Sequence, residues 1–87
     1  MIFSKHARKQ LSIRNISEEL VRKALSEPEE TFSISESRAV FHFRFTEKEK
    51  TYLLRVIADK VGSEWQVITA YKSSKIKKYW RGDFYES

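Results

Sequence analysis

Residues 65–71, WQVITAY, alternate along a β-branched and aromatic run, with Trp65, Val67, Thr69 and Tyr71 on one side and Gln66, Ile68 and Ala70 on the other. A period of two is the mark of a strand inside a sheet. At Tyr71 the pattern breaks. Lys72 to Arg81 then carries five basic residues and no acidic one, with Ile76, Tyr79 and Trp80 at the spacing of a short helix. A strand that delivers an aromatic ring and a lysine cluster to a sheet edge is a place to hold a polyanion. The rest of the chain has to supply the sheet.

Most of it does. Ala39, Phe41, Phe43 and Phe45 alternate with Val40, His42 and Arg44, which gives one aromatic and one polar side. Glu47 to Lys50 is a charged hairpin loop. Thr51 to Ala58 places Tyr52, Leu54, Val56 and Ala58 opposite Leu53, Arg55 and Ile57, so this strand is apolar on both sides except at one arginine. Asp59 to Glu64, with Gly62, turns the chain into the Trp65 strand. Thr31 to Ile34 is short and reads as an edge.

Two helices precede the strands. Ser4 caps a first helix from Lys5 to Arg14, because its hydroxyl accepts from the free amides of the first turn. Asn15 tolerates the left-handed conformation that ends a helix. Ser17 then caps a second, with Glu18 and Glu19 facing the positive end of its dipole and Ile16 set to staple onto Val21. Its buried stripe is Leu20, Val21, Ala24 and Leu25, and Pro28 stops it. The expected fold is α+β: two N-terminal helices packed on a four-stranded antiparallel sheet, then a short basic helix, in one domain over residues 1–87.

Composition narrows the function classes. Twelve aromatic residues and 40% apolar content allow a core without staples, and the absence of cysteine removes thiol catalysis and thiolate metal sites. Two histidines make a poor zinc signature, so neither a metal nor another cofactor is expected. No apolar run is long enough for a bilayer, and a cytoplasmic protein with no membrane partner is the default. The net charge of +5 is uneven: residues 1–16 and 65–82 contain no acid, whereas 17–64 hold eight basic against ten acidic residues. If the fold joins the two ends, they form one basic face of the kind that attracts nucleic acid.

Within that face, Arg55 needs a partner, either a phosphate in a groove or a glutamate from a helix. His6, with Arg8 and Arg14 near it, is a candidate general base, although a lone histidine on a partly apolar stripe is commonly a structural donor. His42 reads as surface. Tyr71, Tyr79 and Trp80 lie among lysines, where rings stack on bases and ammoniums meet phosphates. Ile76, Tyr79 and Trp80 equally suit packing of the last helix onto the sheet. No Ser-His-Asp pattern, paired carboxylate site or glycine-rich phosphate loop is present.

Taken together, Ser4-Lys5-His6-Ala7, Arg14-Asn15-Ile16, Val21, Leu25 and Pro28, then Tyr52 to Ile57 and Val67 to Trp80, resemble a family of small prokaryotic proteins placed with the RelE/ParE-like toxins of type II toxin–antitoxin systems. The resemblance covers nearly the whole chain. It implies helices on an antiparallel sheet and a metal-independent endoribonuclease in which the RNA 2′-hydroxyl attacks the adjacent phosphate. It further implies that a cognate antitoxin blocks the protein and that RNA, with or without the ribosome, is the target. Carried onto this chain, His6 is the base or acid, Arg14 and Arg55 clamp phosphate, and Tyr71 completes the catalytic set. Arg8, Lys72, Lys75 and Lys78 are the substrate-binding residues. The other implied class is a non-catalytic toxin or binding module that inhibits a protein such as DNA gyrase, or holds RNA without cutting it.

Overall fold

Two serines start the two helices. In the computed structural model, which describes residues 1–82, the Ser4 hydroxyl accepts from the Ala7 amide at 3.0 Å and the Ser17 hydroxyl from the Leu20 amide at 3.1 Å. These caps open α1 (Lys5–Ile13) and α2 (Glu18–Ser26), and Asn15 turns between them at φ 56°. Ala7, Leu11, Ile16, Val21 and Ala24 are buried from this pair, and Leu20 and Leu25 pack beside them. Of the domain expected over 1–87, residues 83–87 lie outside the described residues.

The sheet comprises β1 (Ile2–Phe3), β2 (Glu30–Ser33), β3 (Arg38–Glu47), β4 (Lys50–Val61) and β5 (Glu64–Ser73), in the order β1-β5-β4-β3-β2. The chain is α+β, but the sheet has five strands and is mixed: β2 to β5 form the expected antiparallel meander, and β1 joins β5 in parallel through Ile2–Gln66 and Phe3–Val67. A strand of two residues leaves no alternation to read, so the sequence gives no sign of it. The charged loop narrows to Lys48 and Glu49, both at positive φ, as a two-residue hairpin requires.

One face of the sheet carries the core. Ala39, Phe41, Leu54, Val56, Ala58, Val67 and Ala70 meet the helices there, and Phe43, Phe45 and Trp65 pack against them. Burying this face against two amphipathic helices is the main stabilising term, at roughly 25 cal/mol per Å² of apolar surface. The alternation expected along β5 does not survive, because the pairing slips at Ile57/Ala58 and Ile68 is the extra residue. This bulge moves Thr69 and Tyr71 away from the side of Trp65 and Val67 and turns Ala70 into the core instead.

The opposite, outer face is covered by α3 (Ile76–Tyr79) and the residues after it. Trp80 is buried there, stacked on His42 with ring centres 6.2 Å apart. The basic helix expected from Lys72 onward is thus shorter: β5 runs to Ser73, and a single turn follows. Among the described residues no helix is long and apolar enough to cross a membrane.

Candidate functional site

Strand register assembles the site. On the outer face Glu30 of β2 pairs with His42 of β3, His42 with Arg55 of β4, and Arg55 with Tyr71 of β5, so four polar side chains form one straight row across the sheet. They bond in sequence. Glu30 Oε1 lies 2.7 Å from His42 Nδ1, Arg55 Nε donates to His42 Nε2 at 3.0 Å, and Arg55 Nη1 donates to the Tyr71 hydroxyl at 2.5 Å.

The row admits one arrangement of protons. A guanidinium nitrogen can only donate, so His42 Nε2 must accept, which leaves the proton on Nδ1 to be donated to Glu30. The imidazole is therefore neutral. Burial pushes its pKa below the usual histidine range, the charges of Arg55 and Arg81 add to that, and the Glu30 carboxylate opposes it without prevailing. For Glu30, burial favours the protonated form, but the amides of Arg81 and Gly82 and the His42 ring all donate to it, and its pKa is lowered on balance.

His42 is fully buried. The surface position expected for it is wrong because Phe32 lies edge-on at 5.2 Å and Trp80 stacks above, so α3 and β2 close over what alternation alone marks as a solvent-facing residue.

Arg55 is the unusual cation. Two other arginines of this face have carboxylates: Arg38 holds Asp59 through two bonds of 2.7 and 3.0 Å, and Arg44 holds Glu29 at 3.0 and 3.2 Å. Both acids are held below the usual carboxylate range by those hydrogen bonds. Arg55 has no carboxylate within ion-pairing distance among the described residues; its two partners are a neutral imidazole and a phenol. Rings flank it, with the guanidinium carbon 4.2 Å from the centre of Tyr79 and 5.5 Å from that of Tyr71. A half-buried guanidinium with donors to spare and no counter-charge among the described residues has the chemistry to hold an anion.

At the β5 end of the row stands Arg14, the C-cap of α1. Its Nη1 donates to the Ala70 carbonyl at 2.9 Å and to the Thr69 hydroxyl at 3.0 Å, and the Thr69 hydroxyl also donates to Gln10. Arg14 therefore sits beside the residue that precedes Tyr71, on the margin that β1 leaves uncovered. His6 is exposed on α1, one helical turn before Gln10.

The remaining sequence-predicted residues scatter. Arg8 pairs with Glu18 at 3.2 Å and lies over the Phe3 ring, away from the row. Lys72 turns to the helix side, bonds Glu47 at 2.7 Å and lines a groove of about 440 Å³ with Leu11, Ile16, Leu20 and Phe45. Lys75 is exposed at the N-cap of α3, and Lys78 lies over the Tyr79 ring at 5.3 Å. The structure thus joins Arg55, Tyr71 and, through Tyr79, Lys78; it sets Arg14 beside them and keeps Arg8 and Lys72 apart.

Sequence reasoning missed Glu30 and His42. A signal existed: counting outward from the charged hairpin at Lys48–Glu49 sets His42 opposite Arg55. Among the described residues no cluster of three or more His, Cys, Asp or Glu side chains is placed to hold a metal ion.

The chain matches the model of one family, a domain of unknown function (DUF4258), over residues 3–72, and belongs to that family. No curated protein and no solved structure matches it. The matched span contains the whole row from Glu30 to Tyr71 and stops before α3.

Proposed function

We propose that this DUF4258 chain is a metal-independent endoribonuclease, the toxin of a type II toxin–antitoxin pair with a RelE/ParE-like fold, acting in the cytoplasm and blocked by a small antitoxin. The observation that carries the reading is Arg55: a guanidinium with no carboxylate partner among the described residues, beside two tyrosine rings, with a second arginine at the adjoining strand margin.

In this reading the unengaged donors of Arg55 bind the non-bridging oxygens of an RNA phosphate, and Arg14 offers its own free nitrogens to the same backbone. The 2′-hydroxyl loses its proton to a base and attacks phosphorus. The bond to the 5′-oxygen breaks, a 2′,3′-cyclic phosphate forms, and the departing oxygen takes a proton. The Tyr71 hydroxyl accepts from Arg55 and so keeps its own proton free for that departing oxygen. His6, exposed on α1 one helical turn before the Gln10 that bonds Thr69, is the base. Arg55 stabilises charge as it develops on phosphorus, the kind of preorganised contact whose loss costs about a hundredfold or more in rate. Lys75 and Lys78 extend the cationic surface beyond the phosphate.

Incubating purified protein with RNA, in chelator and with or without ribosomes, tests this. Cleavage should occur in chelator, fall about a hundredfold or more in Arg55→Ala, and fall also in His6→Ala and Tyr71→Phe. No cleavage in either setting, or cleavage unchanged by all three substitutions, overturns the enzyme in favour of a binding module.

A further inference from the structure

The row contains two residues that an anion at Arg55 never touches. Glu30 and His42 lie behind the guanidinium, and His42 has no exposed surface. Their contacts are nonetheless well formed: a 2.7 Å bond between carboxylate and imidazole, a 3.0 Å bond between imidazole and guanidinium, and three backbone contacts from Arg81 and Gly82 onto the same carboxylate.

We propose that Glu30 and His42 are positioning residues that aim the Arg55 fork and make the outer-face site a proton-controlled one, in which uptake of a proton by His42 releases Arg55 and weakens the hold on RNA. The inference rests on the nuclease reading for its ligand, but the device belongs to the row itself.

The argument is one of donors and acceptors. Arg55 Nε–H points at His42 Nε2, and only a lone pair there can receive it. Put a proton on Nε2 and two donors and two positive charges face each other at the same 3.0 Å contact. The guanidinium must then turn, and the Tyr71 hydroxyl held by its other arm loses its donor.

The charged groups around His42 act in both directions. Glu30 on β2 favours the proton; Arg55 on β4 and Arg81 after α3 oppose it. Arg44 on β3 lies over Trp80, the ring stacked on His42, and is engaged by Glu29. Tyr71 and Tyr79 are met through Arg55. Because burial lowers the folded-state pKa of His42, the unfolded chain takes up this proton first. The stability held by the neutral ring is complete above the ordinary histidine pKa of about 6.5 and declines as pH falls from there toward the lower folded value. The site is set above that range and released below it.

The sign of the effect on RNA is the useful readout. An added positive charge by itself strengthens binding to a polyanion, so a histidine that merely sat near the site would raise affinity on protonation. A positioning histidine lowers it. The experiment follows a 2′-O-methyl hexauridylate, which cannot be cleaved by 2′-hydroxyl attack, bound to the full chain between about pH 8 and about pH 5, with imidazole nitrogen shifts recorded in the same series.

The wild type should show Nδ1–H and a bare Nε2 at the upper pH, and lose about tenfold in affinity over the interval in which the ring takes its proton. His42→Gln keeps an acceptor for Arg55 but has no imidazole to protonate, and should show no such loss of affinity toward the lower pH. His6 is present in both proteins, so the difference between them belongs to His42. A proton on Nε2 at the upper pH overturns the proposal. So does an affinity that rises as His42 protonates, or an equal loss in His42→Gln. If the RNA is not bound at any pH, the nuclease reading fails, and the Arg55 Nε–H resonance still decides the positioning claim. Its loss on His42 protonation upholds that claim, and its indifference refutes it.

Discussion

Leu53 and Leu54 are neighbours on β4, both with no exposed surface, and they face opposite ways. Leu54 looks into the core closed by α1 and α2, where its contacts are apolar. Leu53 lies on the face of His42 and Arg55, which is closed by a helix of four residues and the turn after it. The inner face is an apolar core that specifies the fold. The outer face is also covered, but its cover rests on polar contacts: Glu30 holds two backbone amides, and Trp80 stacks on an imidazole. The inner face carries the folding, and the outer face carries the site proposed for recognition.

The largest expected effect breaks the inner face. Leu54→Ala should cost about 3–5 kcal/mol in urea unfolding, and Leu53→Ala nearer 2 kcal/mol, because a single helical turn can settle into the gap and two packed helices cannot. Equal losses would mean that the faces are equally rigid.

Much of this division was legible. The serine caps, the Asn15 turn, the stripe of α2 and the aromatic side of β3 follow from local chemistry and appear where the sequence sets them. Three features were not legible, each for its own reason. β1 is too short to carry a pattern. The Ile68 bulge inverts β5 midway, and alternation contains no signal for an inserted residue. The burial of His42 depends on Trp80 returning over the sheet from 38 positions downstream, a contact that no local window reports. Arg55 was visible as an anomaly from the start; what completes it, a neutral histidine rather than an acid, required the register.

A smaller effect sharpens the comparison at its border. Arg14 bonds the Ala70 carbonyl on the strand margin that β1 does not reach, so it serves the sheet edge and the proposed site at once. Arg14→Ala should lower stability by about 1 kcal/mol, measured by thermal unfolding, and weaken RNA binding more than that loss explains. A purely structural Arg14 would change only the first.

The central claim is that the anion seat lies at Arg55 on the outer face. Titrating the full chain with the same uncleavable RNA while following amide and arginine side-chain resonances tests it most directly. The account predicts that the shifts gather at Arg55, Tyr71, Tyr79 and Thr69 and leave the groove between the helices and Phe45 unmoved. Shifts gathered in that groove, at Leu11, Ile16 and Lys72, with Arg55 silent, would contradict it.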